Sequence, residues 1–245
     1  MSQSPLSILS VTDFNKRPIE QTRLLSTFRS MIDEHGYVLM VNADDQFDHV
    51  RFCQNLGPFV PNYNGSVVGD VRPEPGMDDV YHAGNTRPLT PHTEGYDFEV
   101  EPPHYIALWC VQPVENGGGE TTIADTRRWV SELSDAEREM LLDTTLDWKT
   151  TDGIKRLGLD LSTHHPLLEK KDDNLIVRFS CNNILIDDDH PIRDIQQRWH
   201  KLFDSEHVAV DYRKNDMLVW DNHRFLHARN AFKDYGRHLR RLQIN

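Results

Sequence analysis

From residue 104 onward the chain is a succession of short apolar stretches bounded by turn-forming residues: HYIALWCVQ, ETTIA after the triple glycine 117–119, TLDW, NLIVRFSCN, HVAVDY, DMLVW and LRRLQIN. Runs of this length, rich in β-branched and aromatic residues, predict strands. Only two helical patterns interrupt them. One spans 134–143 and opens on the capping box Ser134-x-x-Glu137; the other spans about 192–203, with Ile192, Ile195, Trp199 and Leu202 on one stripe. Asn215-Asp216, between two strand patterns, predicts a tight hairpin pairing DMLVWDN with HVAVDY. Upstream, Ile19, Leu24, Leu25, Phe28, Met31 and Ile32 predict a helix over 19–35, closed by Gly36 and followed by the strand YVLMV. A shorter helix fits 46–56 with Phe47, Val50 and Leu56 inward, and the Gly-, Pro- and Asp-rich segment after it reads as a long surface loop with the makings of a lid. The expectation is mainly β with flanking helices, a barrel or sandwich, forming a single domain over 1–245.

Charge and cysteine usage narrow the function. Thirty-nine acidic against 27 basic residues give a net charge of −12, which repels nucleic acid and anionic membranes and leaves a small-molecule substrate as the expected partner. Cys53, Cys110 and Cys181 are odd in number and have no CxxC spacing, so they are expected as buried spectators in a reducing compartment. The start MSQSPLSILSVTDFNKRP lacks the features of a targeting segment, and the longest apolar run, YIALWCV at 105–111, is too short to span a membrane. A cytoplasmic location is expected.

Thirteen histidines are available for chemistry. About two His-x-Asp/Glu pairs are expected by chance at this composition, and the sequence holds one, His92-Thr93-Glu94. On an extended segment these two side chains face the same way. A deaminase zinc site would need Pro-Cys-x-x-Cys, and the zincin His-Glu-x-x-His and a His-x-His pair are also missing. What survives is one face of two histidines and a carboxylate, the arrangement that leaves open positions on non-haem Fe(II). His223 and His227 compete as the second histidine. His227 is preferred, because it lies in an extended segment followed at strand-compatible distance by Arg237, Arg240 and Arg241. Arg237 and Arg241, four apart, share a face suited to a dicarboxylate beside the metal, while Arg240 points away.

Taken together, His92-Thr93-Glu94, Gly118-Gly119-Glu120-Thr121 and the late His227 through Arg237 and Arg241 resemble the Fe(II)/2-oxoglutarate oxygenase superfamily, in the branch of taurine dioxygenase and clavaminate synthase. The resemblance runs from about residue 80 to the C-terminus. It implies a distorted double-stranded β-helix, or jelly-roll, core with flanking helices. His92, Glu94 and His227 would hold Fe(II). The co-substrate 2-oxoglutarate would place its far carboxylate on Arg237 and Thr121, with Arg241 supporting the chelating end. The implied reaction consumes O2, converts 2-oxoglutarate to succinate and hydroxylates an unactivated C–H bond, with desaturation or ring chemistry open to the same site.

Two departures from the branch bear on specificity. Glu94 stands where many relatives have Asp, a pattern of the clavaminate-synthase-like group that tilts the expectation toward a free amino acid. The ligating carboxylate also argues against halogenation. Nine residues separate His227 from Arg237, slightly short for the branch, which leaves Arg241 as a rival for the main co-substrate contact. Asp97, Glu99, Glu74, Asp78 and Asp79 hint at a cationic group on a basic amino acid, and Asn85 with Arg87 is a candidate for the substrate carboxylate. Solvated loop charge explains the same acids equally well. His104, His164 and His165 are expected at the surface or in packing, and Trp109, Trp199 and Trp220 in the core, Trp220 bordering the pocket. The alternatives are a taurine-dioxygenase-like oxygenase of a sulfonate or other anionic acid, which would need cations in the loop 57–90 beyond Arg72 and Arg87, and a β-helix binding module without turnover.

Overall fold

The computed structural model describes residues 6–14, 17–172 and 174–245. Residues 1–5, the first part of the segment expected to carry no targeting signal, lie outside them. The strands are β1 (Ile8–Ser10), β2 (Tyr37–Val41), β3 (Gly69–Val71), β4 (Leu89–His92), β5 (Tyr105–Gln112), β6 (Thr121–Asp125), β7 (Leu146–Lys149), β8 (Ser162–His165), β9 (Leu168–Lys171), β10 (Asn174–Val177), β11 (Ile184–Leu185), β12 (Val208–Val210), β13 (Met217–Asp221), β14 (Phe225–Arg229) and β15 (His238–Ile244). The α-helices are α1 (Pro18–His35), α2 (His49–Gln54), α3 (Arg127–Ser131), α4 (Asp135–Asp143), α5 (Asp152–Arg156) and α6 (Pro191–Glu206). The chain is mainly β. None of the described helices is long and apolar enough to cross a membrane.

Two sheets carry the architecture that matters for the site. A six-stranded sheet runs in the order β1-β2-β13-β5-β15-β3, and a four-stranded sheet runs β12-β6-β14-β4. Most of these strands are buried along their length, as the near-continuous apolar runs of β5 and β13 require. Helix α1 covers one sheet face with Leu24, Phe28 and Ile32. It ends where predicted: Gly36 adopts φ 76 and its N–H donates to the Ile32 carbonyl. A Cβ there would come within 2.4 Å of Phe225, so the glycine serves both the left-handed turn and the packing behind it. Ile19, expected inward, is 67 % exposed, and the buried stripe of the helix begins at Leu24. In α2 the fully covered residues are His49, Phe52 and Cys53, while Phe47 and Val50 are half-buried.

The predicted hairpin does not form. β12 pairs with β6, whereas β13 lies between β2 and β5 in the other sheet. Asn215 does adopt a left-handed φ of 69. It nevertheless already belongs to the next ladder, with the Asn215 N–H donating to the Cys110 carbonyl and the Cys110 N–H to the Asp216 carbonyl. Long-range pairing of an apolar strand on both edges outweighs a local turn signal.

Candidate active site

The "HTE" stretch lies at the end of β4, where the strand leaves its sheet. Thr93 is fully buried between the two flanking side chains, its N–H donating to the Phe179 carbonyl and its hydroxyl accepting from the Phe179 N–H. That pin keeps His92 and Glu94 on the opposite side. β14 pairs antiparallel with β4 so that His227 stands directly across from His92, their rings 4.1 Å apart. One ligand atom from each of His92, Glu94 and His227 lies within 4.8 Å of the other two.

The protonation chemistry of this trio fits a cation. His92 Nδ1 donates to the Thr90 carbonyl at 2.9 Å, which leaves the Nε2 lone pair free. Burial pushes both imidazoles below the ordinary histidine value, and for His227 the neighbouring His92 adds to the effect. Neutral imidazole is the ligating form. His227 Nδ1 is buried without a partner, and its Nε2 is 3.8 Å from Glu94 Oε2. Glu94 is held at its backbone by Asn222, whose side chain accepts from the Glu94 N–H and donates to its carbonyl.

His223 sits elsewhere. Its Nε2 donates to the Pro102 carbonyl and its ring stacks on His104 at 4.6 Å and 5°. His104, Asp221 and His223 also bring donor atoms within 4.8 Å of one another, but parallel stacked rings do not converge their in-plane lone pairs on one ion. His164 is exposed and bonded to Asp147.

The same pocket collects the arginines. Arg237, just ahead of β15, and Arg241 within it both line the cavity, while Arg240 is exposed on the other side. Arg237 is 2 % exposed, donates to the Gly119 carbonyl at 2.9 Å, and leaves Nη1 buried without a partner. The glycines explain the approach: a Cβ on Gly118 would sit 2.4 Å from the Ala231 carbonyl oxygen, and one on Gly119 3.0 Å from Arg237 Nε. Thr121 lines the pocket, and Tyr212 donates its hydroxyl to Thr121 Oγ1 at 2.9 Å, so the Thr121 proton is free to turn to a ligand. Arg241 bridges Glu94 Oε1 at 2.6 Å and Asn62 Oδ1 at 2.9 Å.

Residues expected to meet a substrate fare differently. Asp97 is buried behind Tyr63, which donates to it at 2.7 Å, and burial raises its carboxyl above the usual range. Arg87 is exposed and contributes only its backbone N–H and carbonyl, and the Asn85 amide is occupied by Val80, Arg87 and Arg229. Neither lines the pocket. Asp79 pairs with Arg156 and Asp78 accepts from Tyr235, both outside the cavity. Among the described residues Glu94 is the one carboxylate in the lining, and Tyr63, Tyr81, Tyr96, Leu89 and Ile154 are part of the remaining wall. Trp220 borders it, 4.9 Å from the His227 ring.

Sequence reasoning missed the supports. Arg178, fully buried, ties the carbonyls of Gly95, Tyr96, Phe98 and Val100 to Glu169 and so shapes the turn after Glu94. Asn222, Asn62 and Tyr212 hold other site residues through contacts between distant parts of the chain and leave no local signature. Arg229 was within reach, because it lies two residues after His227 on the same strand face.

Residues 10–243 match the taurine catabolism dioxygenase TauD, TfdA family. The 3-((Z)-2-isocyanoethenyl)-1H-indole synthase of Fischerella ambigua (strain UTEX 1903) is 24 % identical over 252 residues, covering 95 % of this chain and 88 % of that enzyme. The L-asparagine oxygenase of Streptomyces coelicolor (strain ATCC BAA-471 / A3(2) / M145) is 25 % identical over 178 residues, covering 72 % of this chain and 52 % of its own length, so the match spans about half of that relative. Among solved structures, asparagine oxygenase in complex with Fe(II), 2S,3S-3-hydroxyasparagine and succinate superposes with a TM-score of 0.73 at 21 % identity, covering 93 % of this chain and 79 % of the other. The chain belongs to the taurine catabolism dioxygenase TauD, TfdA family and is a 2-oxoglutarate-dependent oxygenase that works with Fe(II) and O2.

Proposed function

We propose that His92, Glu94 and His227 hold the iron, that Arg237 and Thr121 take the far carboxylate of 2-oxoglutarate, and that Arg241 attends its chelating end. The observation that carries this reading is the convergence of three ligand atoms within 4.8 Å beside two buried arginines, Arg229 and Arg237, that have no carboxylate partner among the described residues. In this reading the whole chain, 1–245, is one domain built on a double-stranded β-helix core.

When bound, iron, 2-oxoglutarate and O2 together supply an oxidative decarboxylation coupled to oxidation of a substrate C–H bond. The protein's own residues position and protect. Burial keeps both imidazoles neutral and ready to ligate; Thr93 and Asn222 fix where His92 and Glu94 stand; the Tyr212 hydroxyl orients the Thr121 proton; and the apolar wall of Leu89, Ile106, Leu108 and Trp220 excludes water.

The substrate is an amino acid or a derivative of one, oxidised by hydroxylation in the first instance. The pocket has no acid to spare for a basic side chain and is lined by tyrosines; this favours an aromatic or apolar group over lysine or arginine. The relative acting in isocyanoethenyl-indole formation covers most of both chains and points the same way. Neither Arg72 nor Arg87 lines the pocket, which weighs against a sulfonate. The test is succinate release with Fe(II) and 2-oxoglutarate across aromatic, aliphatic, polar and basic amino acids and their N-substituted forms. Stimulation by aromatic members, lost in Glu94→Ala and His227→Ala by at least about a hundredfold and kept in His223→Ala, is expected. Stimulation by arginine or lysine alone would overturn the substrate class.

A further inference from the structure

We propose that Arg229 is a second arginine for the far carboxylate of 2-oxoglutarate, and that through it co-substrate binding fastens the pocket wall formed by residues 80–88. This rests on the iron and 2-oxoglutarate reading above and adds to it a residue and a coupling.

Arg229 is 5 % exposed, yet among the described residues neither it nor Arg237 is ion-paired with a carboxylate. The two guanidinium groups each lie 5.1 Å from the centroid of the same ring, Phe232. Both line the pocket that holds Thr121. Arg229 Nε and Arg237 Nη1 are each buried without a hydrogen-bond partner. Two like charges removed from water, each with an unused donor, are costly unless an anion joins them.

The remaining donors of Arg229 all go to one segment. They reach the Ala83 carbonyl at 2.7 Å, Asn85 Oδ1 at 3.0 Å and the Arg87 carbonyl at 2.6 Å. That segment carries Tyr81, His82 and Ala83 into the pocket wall. A carboxylate that relieves the Arg229–Arg237 repulsion therefore strengthens the hold on 80–88, and by thermodynamic reciprocity a loosened 80–88 weakens the carboxylate by the same factor.

The experiment is amide hydrogen exchange of segment 80–88, read by mass spectrometry on the full-length protein with and without 2-oxoglutarate, and again with glutarate, which has both carboxylates but no keto group to chelate a metal. Wild type should show exchange in 80–88 slowed about tenfold or more by either dicarboxylate. Arg229→Gln should lose that protection and bind 2-oxoglutarate at least about tenfold more weakly, with Fe(II) binding retained. Asn85→Ala leaves both arginines in place but removes an acceptor on the wall; it should weaken 2-oxoglutarate about threefold, the reciprocal effect. Should Arg229→Gln fail to fold, Arg229→Lys and Asn85→Ala carry the test. Tight 2-oxoglutarate binding in wild type without protection of 80–88, or unchanged affinity in both Arg229 variants, overturns the proposal while leaving the iron site standing. Failure of wild type to bind 2-oxoglutarate at all overturns both.

Discussion

At the scale of single residues, the site is a set of buried polar groups whose partners within the protein are incomplete. Among the described residues the Arg237 side chain has one hydrogen bond and a buried unpartnered Nη1, His227 has a buried unpartnered Nδ1, and Arg241 leaves Nε unused. Buried donors in that condition are uncommon in a settled structure, and their clustering in one cavity marks a place built for something else to bind. Arg237 gives a clean test of which arginine dominates. Arg237→Gln keeps the planar amide shape but removes the charge, and truncating one member of a buried charged pair costs about 2–5 kcal/mol. The KM for 2-oxoglutarate should rise at least about thirtyfold with the Fe(II) dissociation constant unchanged. An unchanged KM, with a large effect from Arg241→Gln instead, would transfer the contact to Arg241. How the sequence exposed this site is physical. Two-residue alternation on extended chain brings His92 with Glu94, and four-residue spacing brings Arg237 with Arg241, while the roles of His227, Thr121 and the two arginines came from the family resemblance. Asp78, Asp79 and Asp97 lie outside the pocket lining, which sequence could not reveal because a loop charge says nothing of which way it turns.

At the scale of elements, helix ends and long strands were legible and pairings were not. The capping box of Ser134 and Glu137 and the left-handed Gly36 are local devices and appear where predicted. The partner of β13 is decided by β2 and β5, more than a hundred residues away in sequence, and no turn signal at Asn215 could reveal it. Strands β1, β3, β8, β9 and β11 and the short helices α3 and α5 were missed, being brief and weakly periodic; β3 lies within the segment expected to be a long surface loop. Helix α2 supplies an element-level prediction. His49 stacks on Trp109 of β5 at 4.7 Å and 8°, and its Nε2 is buried without a partner. Burial first, then the nearby charge of Arg240, lowers its value from 6.5 to about 4. The folded state thus binds this proton less readily than the unfolded chain does. The stability it contributes is fully present above about pH 6.5 and is lost as pH falls toward 4, a contribution on the order of 2 kcal/mol. His49→Phe, which preserves the stack, should flatten the fall in Tm between pH 7 and pH 4.5 relative to wild type. Parallel Tm curves for the two proteins would show that the acid sensitivity lies elsewhere.

At the scale of the whole molecule, a protein of net charge −12 concentrates three arginines at the cavity proposed here for the 2-oxoglutarate dianion. The surrounding negative field opposes approach, so the local guanidinium groups have to supply both attraction and the replacement for lost hydration. Their mutual repulsion in the ligand-free protein falls on β14 and β15, strands that belong to different sheets. Relief of that repulsion should therefore register as global stability rather than as a local effect. A ligand present at a hundred times its dissociation constant adds about 2.7 kcal/mol to the folded state, and at this chain length each kcal/mol moves Tm by roughly 2–4 °C. Under anaerobic conditions, which prevent turnover, Fe(II) and 2-oxoglutarate together should raise Tm by about 5–10 °C. A chelator should return the iron-dependent part and leave the part due to the dicarboxylate on Arg237. Succinate, with its shorter span, should give a smaller rise than 2-oxoglutarate. A Tm indifferent to all of them would mean that the buried guanidinium groups are satisfied without an anion, and the assignment of this cavity to the co-substrate would fall with it.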